Sequence, residues 1–305
     1  SHFWTGKPMI LAHSLTSACN YRCKICDVWR RGRNCEMRTR EVFRMLDEAR
    51  SLNFVAYLVW GGEPLLRDDI VCILEHAHDL GFYTSIVTNG SYLPEKAGEI
   101  VNLLDLTWVS LDYYSEYHDQ MRDFEGAFRR AMKGIAALRR MGGRVAINCV
   151  LSKLNADAVG GMAELADRLG VRLAFGPMEV FPGVNDEYAL SNVELGKLLF
   201  EVWKYKRAGY PILNSDDYLQ RLTSPKRYSC AQPRVFINVS ENGEVAPFWC
   251  KKNHHALGDL RKQSLSEILC SDSYSQFVRI TDGCSTCSTS CTVEASMFYS
   301  ASNFL

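Results

Sequence analysis

The sequence has no surplus of charge of either sign. Its 305 residues carry 35 basic and 35 acidic side chains, so the formal net charge is zero. No polybasic run stands out, and nucleic acid is not the expected partner. The short cationic stretch Arg30-Arg31-Gly32-Arg33 reads as a solvated loop. No apolar run approaches the ~20 residues of a membrane span, so no membrane span is expected. No secretory leader is visible. No G-x-G-x-x-G turn, P-loop or Ser/His/Asp pattern appears, which removes the common nucleotide-binding and acyl-transfer signatures. His76, His78, His254 and His255 fall on polar segments and read as bland surface residues.

Cysteine, by contrast, is abundant, with twelve in the chain. Without a secretory leader, that number favours thiolate metal ligands in a reducing compartment, the cytoplasm, over disulfides. The chain is 47% hydrophobic, enough for one large domain and a smaller one.

Apolar runs alternate with amphipathic ones. Strands are expected at 9–16, 54–60, 82–88, 106–111, 144–151 and 171–177. Helices are expected at 39–52, 68–80, 94–104, 126–141 and 157–169. The strands are nearly continuous in apolar residues, as parallel strands covered by helices should be. Gly81, Gly142-Gly143 and Gly170 follow helices as caps, and Pro94 opens one. The six repeats predict an α/β fold, an open partial (β/α)6 TIM-like barrel. Ligands of such sheets bind at the C-terminal strand ends. After Phe181 the pattern changes to a turn, a helix at 192–207, and a hairpin of strands 234–240 and 244–249 around Asn242-Gly243. A short helix at 264–269 follows, with Cys270 as buried packing. The expected division is a core at 1–185, a helical linker at 186–228 and a small extension at 229–305.

Three cysteines, Cys19, Cys23 and Cys26, sit on one loop directly after the first strand. A closed iron–sulfur cube takes four cysteines. A three-cysteine loop leaves one iron open, which marks a catalytic rather than a structural site. A zinc knot would want four closed ligands. The C-x3-C-x2-C spacing followed by Gly61-Gly62-Glu63-Pro64 resembles the radical S-adenosylmethionine (SAM) superfamily over residues 8 to 180. The resemblance implies a barrel fold, a 4Fe–4S cluster on the three cysteines, and SAM chelated by the open iron. An electron from the cluster then gives a 5′-deoxyadenosyl radical that abstracts hydrogen from an unactivated C–H bond. A reductant such as flavodoxin or ferredoxin is implied as a partner.

The resemblance also distributes roles around SAM. Gly61, Gly62, Glu63 and Pro64 would hold its amino group. Asn89, Ser110 and Asp112, at strand ends, would approach its ribose and methionine part. The His118-Asp119-Gln120-Met121-Arg122 stretch would offer Arg122 to its carboxylate; an Asp119–Arg122 loop ion pair is the alternative. Asn148 and Met178 would lie by ribose and adenine. Ile25 stands where the family usually has an aromatic residue before the last cysteine.

Cys230, the hairpin, Cys250, the short helix and then Cys284, Cys287 and Cys291 resemble the SPASM or twitch extension of these enzymes. The resemblance implies one auxiliary 4Fe–4S cluster. Cys230, Cys250, Cys284 and Cys287 are the favoured ligands, with Cys291 as a substitute or extra one, and zinc on the same thiolates is the alternative. With the first cluster cysteine at residue 19, no leader-binding domain is expected upstream. A small organic or lipid-like substrate is therefore the first expectation, a peptide or protein substrate the second, and a non-enzymatic electron carrier the third. Aromatic residues after the fourth strand (Tyr113, Tyr114, Tyr117, Phe124) and the sixth (Phe175, Met178, Phe181) would suit an apolar substrate, or a packed core.

Overall fold

The computed structural model describes residues 8–31, 35–221, 228–247, 250 and 255–302. Six strands follow in order: β1 (Ile10–Thr16), β2 (Ala56–Gly61), β3 (Tyr83–Thr88), β4 (Leu106–Ser110), β5 (Val145–Leu151) and β6 (Arg172–Pro177). Each pairs in parallel with the next. Parallel neighbours need crossover connections. These run through the helices α1 (Thr39–Ser51), α2 (Ile70–Asp79), α3 (Leu93–Ile100), α4 (Tyr117–Arg122), α5 (Ala127–Arg140) and α6 (Val159–Leu169). The expected helix at 94–104 is shorter, because a 3-10 turn, Val101–Leu103, closes it.

Strand alternation decides what faces where. Leu11, Leu15, Tyr57, Val59, Ile86, Val109, Ile147 and Leu173 are buried in the main apolar core. The alternate residues Leu58, Trp60, Val87, Trp108, Ser110, Asn148, Val150 and Ala174 line an internal cavity. One sequence period thus builds both the core and the inside of the barrel.

Beyond the barrel come α7 (Asn192–Arg207), α8 (Asp216–Leu219), α9 (Gln232–Val235), β7 (Phe236–Val239), β8 (Glu244–Ala246) and β9 (Gly258–Asp259). The helices α10 (Leu265–Leu269), α11 (Asp272–Thr281) and α12 (Ser290–Ser302) complete the described chain. The hairpin β7–β8 is not a separate sheet. β7 pairs in parallel with the free edge of β1, giving the order β6-β5-β4-β3-β2-β1-β7-β8-β9. Pro233 in the first turn of α9 holds 232–235 helical, so the strand starts two residues later than expected. Phe248, Trp249 and His254 lie outside the described residues, as do Gly32 and Arg33.

One expectation is corrected here. Cys270 is exposed, not buried packing, because it is the C-cap of α10. Within 186–228, Leu173 accepts from the Leu213 N–H and donates to the Pro211 carbonyl, so residues 211–213 run along β6. Among the described residues, no helix is long and apolar enough to cross a membrane.

The extension docks onto the barrel through Glu48 of α1. Its carboxylate accepts from the Leu265 and Ser266 N–H groups, both at 2.9 Å, at the start of α10. Glu48→Ala leaves these donors unpaired, so urea denaturation should show a loss of about 1–3 kcal/mol. An unchanged midpoint would show that water replaces the cap without loss.

Candidate active site

The first functional element is the loop after β1. Cys23 is buried, and Cys19 and Cys26 are half-buried. The loop is pinned to α4 by two backbone bonds, Arg22 N–H to the Arg122 carbonyl (3.3 Å) and Lys24 N–H to the Met121 carbonyl (3.1 Å). Tyr21 packs on Phe124 with ring centroids 4.4 Å apart. Asn185, fully buried, donates to the Ile25 carbonyl at 2.9 Å and ties the loop to the segment after β6. The three thiols line one cavity of about 610 Å³. Burial pushes the Cys19 thiol up to about 12, and burial also raises Cys23 and Cys26. Such thiols become thiolates only when a metal supplies positive charge. The residues present therefore fit a cluster held by this loop.

Next to the loop, β2 ends on Gly61-Gly62. The Gly62 N–H donates to the Thr16 carbonyl at 2.7 Å, and the Glu63 N–H to the Ala18 carbonyl at 2.8 Å. Gly61 has φ +135°, and a Cβ on Gly62 would stand 2.2 Å from the Ala18 carbonyl oxygen. Only glycine lets these two strand ends close on each other.

Glu63 itself does not line the cavity. It is fully buried, and its carboxylate accepts from Leu65 N–H (3.1 Å), Thr88 Oγ1 (2.8 Å) and Asn89 N–H (2.7 Å). Burial pushes this carboxyl up to about 7, and the three donors pull against the shift. Pro64, also buried, opens the 3-10 turn that follows. Asn89 passes the connection on, donating through Nδ2 to Asn20 at 2.9 Å and approaching Cys19 Sγ at 3.9 Å.

A second chain of contacts reaches Cys23 from β4. Asp112 is fully buried, pairs with Arg122 at 2.6 Å, and accepts from Val150 N–H at 2.9 Å. Arg122 Nη1 lies 3.8 Å from Cys23 Sγ. Burial works against the Arg122 charge, but Asp112 and then Cys23 outweigh it, so Arg122 is held protonated. Asp119 does not pair with Arg122. It accepts from the Gly126 and Phe128 N–H groups and caps α5 instead. His118 accepts the Asp112 N–H through Nδ1 and stays neutral, since burial holds its pKa well below the ordinary range.

The cavity thus gathers Cys19, Cys23, Cys26, Ile25, Gly61, Gly62, Asn89, Ser110, Arg122, Asn148 and Met178, while Glu63, Pro64 and Asp112 stand behind its wall. Tyr113 stacks on Tyr114 and meets Tyr117 edge-on, with Tyr114 and Tyr117 exposed, and none of the three is part of the cavity lining. Met178 and Phe181 line the cavity, whereas Phe175 is core. Sequence reasoning missed Trp29, Trp60 and Trp108, and also Leu213, Asn214 and Glu294. Trp60 immediately precedes the glycine turn, and Trp108 is two residues from Ser110 on the same strand. The period of two could have found both. Nothing local marks Glu294.

In the extension, Cys230, Cys250, Cys284 and Cys287 are buried. The Cys230 N–H donates to the Cys284 carbonyl at 2.7 Å. Burial pushes the Cys230 thiol up to about 11, and the neighbouring Cys287, Cys284 and Cys250 add to it. Tyr228 donates to the Cys287 carbonyl at 3.0 Å, and Tyr218 to the Ser288 carbonyl at 3.1 Å. Cys291 lies on the first turn of α12 and in the lining of the main cavity. Among the described residues, no three His, Cys, Asp or Glu side chains are gathered tightly enough for a single metal ion.

Glu63 gives a pH-dependent signature. Its folded-state pKa of about 7 lies above the ordinary 4.5, so the folded chain binds the extra proton between these values. Stability of the metal-free chain should therefore fall as pH rises from 4.5 to 7, and level off above. Glu63→Gln should lose this slope. It should also lower stability by about 1–3 kcal/mol, because its amide NH2 must face a buried donor. Urea titrations at several pH values read both.

The description "Radical SAM superfamily" fits residues 13–166, and "Iron-sulfur cluster-binding domain" fits residues 230–292. The AdoMet-dependent heme synthase of Methanosarcina barkeri is 31% identical over 175 residues, 54% of this chain and 49% of that protein. The PqqA peptide cyclase of Granulibacter bethesdensis is 25% identical over 256 residues, 79% of this chain and 67% of that protein. The chain thus spans about half the length of the first relative and two thirds of the second. The fold is shared with Streptococcus suis SuiB bound to S-adenosylmethionine, with a TM-score of 0.77 and 16% identity over 90% of this chain and 69% of that one. The family match begins within β1, ends within α6, and takes in the cysteine loop and the glycine turn, just over half of the 305 residues. The chain is an enzyme of the radical SAM superfamily with a C-terminal iron–sulfur cluster-binding domain.

Proposed function

We propose that this enzyme modifies a peptide or protein substrate by abstracting hydrogen from an unactivated C–H bond. The chain is 25% identical to a peptide cyclase over 79% of its length and to the Fe-coproporphyrin III synthase of Methanosarcina barkeri over 87%, so the extent of similarity does not choose between a peptide and a tetrapyrrole. What carries the reading is the cavity lining. Among the described residues Arg122 is its single cation, and Asp112 already holds it. A tetrapyrrole presents several carboxylates and would call for more positive charge than that. The mainly apolar wall of Leu58, Trp60, Val87, Trp108, Val150, Met178, Phe181 and Leu213 suits an inserted side chain. This reading takes the place of the small or lipid-like substrate expected first.

Cys19, Cys23 and Cys26 would hold the SAM-binding cluster. Gly61, Gly62, Asn89, Ser110, Asn148 and Met178 would border SAM, with Ile25 beside them. Arg122 would meet its carboxylate through a charge-assisted fork. Glu63, Pro64 and Asp112 would act from behind, by fixing strand ends and the Arg122 head. The bound cluster and SAM supply the hydrogen-abstracting radical. The chain's own part is to orient the cosubstrate, keep water from the cavity and present the substrate. Cys230, Cys250, Cys284 and Cys287 would hold one auxiliary cluster, and Cys291 would be free for the cavity.

The test uses the reconstituted full chain with SAM, dithionite and the peptides encoded beside its gene. A mass change in one peptide, together with 5′-deoxyadenosine, is expected, and the triple Ala variant at Cys19, Cys23 and Cys26 should give neither. Turnover of a tetrapyrrole, with every peptide unaltered, would overturn the proposal.

Iron content checks the cluster assignment separately. About eight irons per chain are expected from two four-iron clusters. Cys291→Ala should keep all of them, whereas Cys284→Ala should lose about half. Loss of iron on replacing Cys291 would make it a ligand.

A further inference from the structure

Glu294 is a cavity carboxylate that neither the barrel nor the cluster ligands require. It sits near the start of α12 and lines the cavity beside Asn214, Ser290 and Cys291. Gly176 on β6 makes room for this turn, since a Cβ there would stand 3.0 Å from Ser290 Oγ. The extension therefore supplies one wall of the cavity, facing strand ends of the barrel.

The carboxylate is fixed in advance. It accepts from the Ser215 N–H at 3.1 and 3.2 Å, and from Asn214 Nδ2 at 3.2 Å. Asn214 is itself locked to β6. Its Oδ1 accepts from the Phe175 N–H at 2.7 Å, and its Nδ2 donates to the Phe175 carbonyl at 2.9 Å. An ionised carboxylate has about four acceptor positions, so these neutral donors leave capacity for a ligand.

Among the described residues its charge has no ion-pair partner. Among the described residues no Lys, Arg or His lies within 4.0 Å of Glu294. Lys206 serves the same 212–214 segment, but its ammonium donates to the Ile212 and Asn214 carbonyls, at 3.4 and 2.6 Å. Arg122, the cation of the lining, belongs to Asp112. The groups read as bordering SAM come from the cysteine loop and the strand ends, whereas Glu294 enters from the extension, against Leu213 and Asn214 of the 186–228 segment. A mainly apolar cavity lined by two carboxylates, Glu294 and Glu179, with its one cation Arg122 already paired with Asp112, focuses a negative field on an entering cation. It also penalises a neutral or anionic group at the same place.

We propose that Glu294 receives an ammonium or guanidinium of the substrate, so that the side chain presented to the radical is lysine or arginine. The inference rests on the peptide reading above and names its substrate class. A purely structural role for Glu294, tying α12 to residues 214–215, would lower activity toward every substrate alike. A cation-binding role changes the preference among substrates.

The experiment reads that preference directly. The reconstituted full chain is given SAM, dithionite and three pools of synthetic peptides. Each pool has random flanking residues around one perdeuterated residue: lysine, arginine or leucine. Deuterium recovered in 5′-deoxyadenosine reports which side chain reached the radical. The lysine or arginine pool should label at least about tenfold more than the leucine pool, a difference of about 1.4 kcal/mol. Glu294→Gln, which keeps an acceptor for Ser215 and Asn214, should bring that ratio close to one. Glu294→Asp, which keeps the charge, should retain it and serves if the Gln variant does not fold. Labelling from leucine in preference to the cationic residues, or an unchanged ratio in Glu294→Gln, would overturn the inference and leave the peptide reading standing. No deuterium from any pool would overturn both.

Discussion

A buried carboxylate with three donors around it sets the geometry on which the rest of the site depends. Glu63 accepts from the turn after β2 and from the end of β3, and so fixes two neighbouring strand ends to one point. Asn89, held by that carboxylate, reaches Asn20 and Cys19 in the cysteine loop. The cost is high, because burial alone would drive this group to its neutral form. Three hydrogen bonds offset that cost, and the result is a rigid floor for a loop that has little secondary structure of its own.

The Asp112–Arg122 pair repeats this device on the other side. It brings a cation beside Cys23 without leaving it mobile, because Asp112 is itself tied to β5 through Val150. Buried pairs of this kind add little net stability, and their value lies in fixing orientation. The loop is thus held at Cys19 through a carboxylate and at Cys23 through a guanidinium. The two carboxylates, Glu63 and Asp112, stand behind the cavity wall, whereas Arg122 reaches its lining.

The extension completes the cavity instead of standing apart. β7 continues the barrel sheet from the edge of β1, and Glu48 caps α10 from α1. With those anchors in place, α12 can press its first turn against Gly176 and bring Glu294 and Cys291 to the cavity. The final cysteines divide accordingly. Cys284 and Cys287 lie with Cys230 and Cys250, and Cys291, on the first turn of α12, lines the cavity.

The sequence by itself determined what is local. The period of two along six apolar runs, with helices between them, carries the parallel barrel. The spacing of Cys19, Cys23 and Cys26 and the turn at Gly61-Gly62 carry the cluster loop and its neighbour, because each depends on residues a few positions apart. Tertiary structure alone decided the long-range partners. Asp119 and Arg122 look like a pair in sequence, yet each is taken by a group the sequence does not place beside it. Glu63 stands next to a cavity-lining glycine, but its buried donors come from residues 65, 88 and 89 and turn it away from the cavity. The run of Ser and Thr before Cys291 hid α12, since those residues favour caps and turns over helix interiors. Glu294 lies on that helix, and its place in the cavity follows from packing between segments about 80 residues apart, Asn214 being 80 positions away. No local pattern encodes such a meeting; it exists only once both ends of the chain are folded onto the same strand ends.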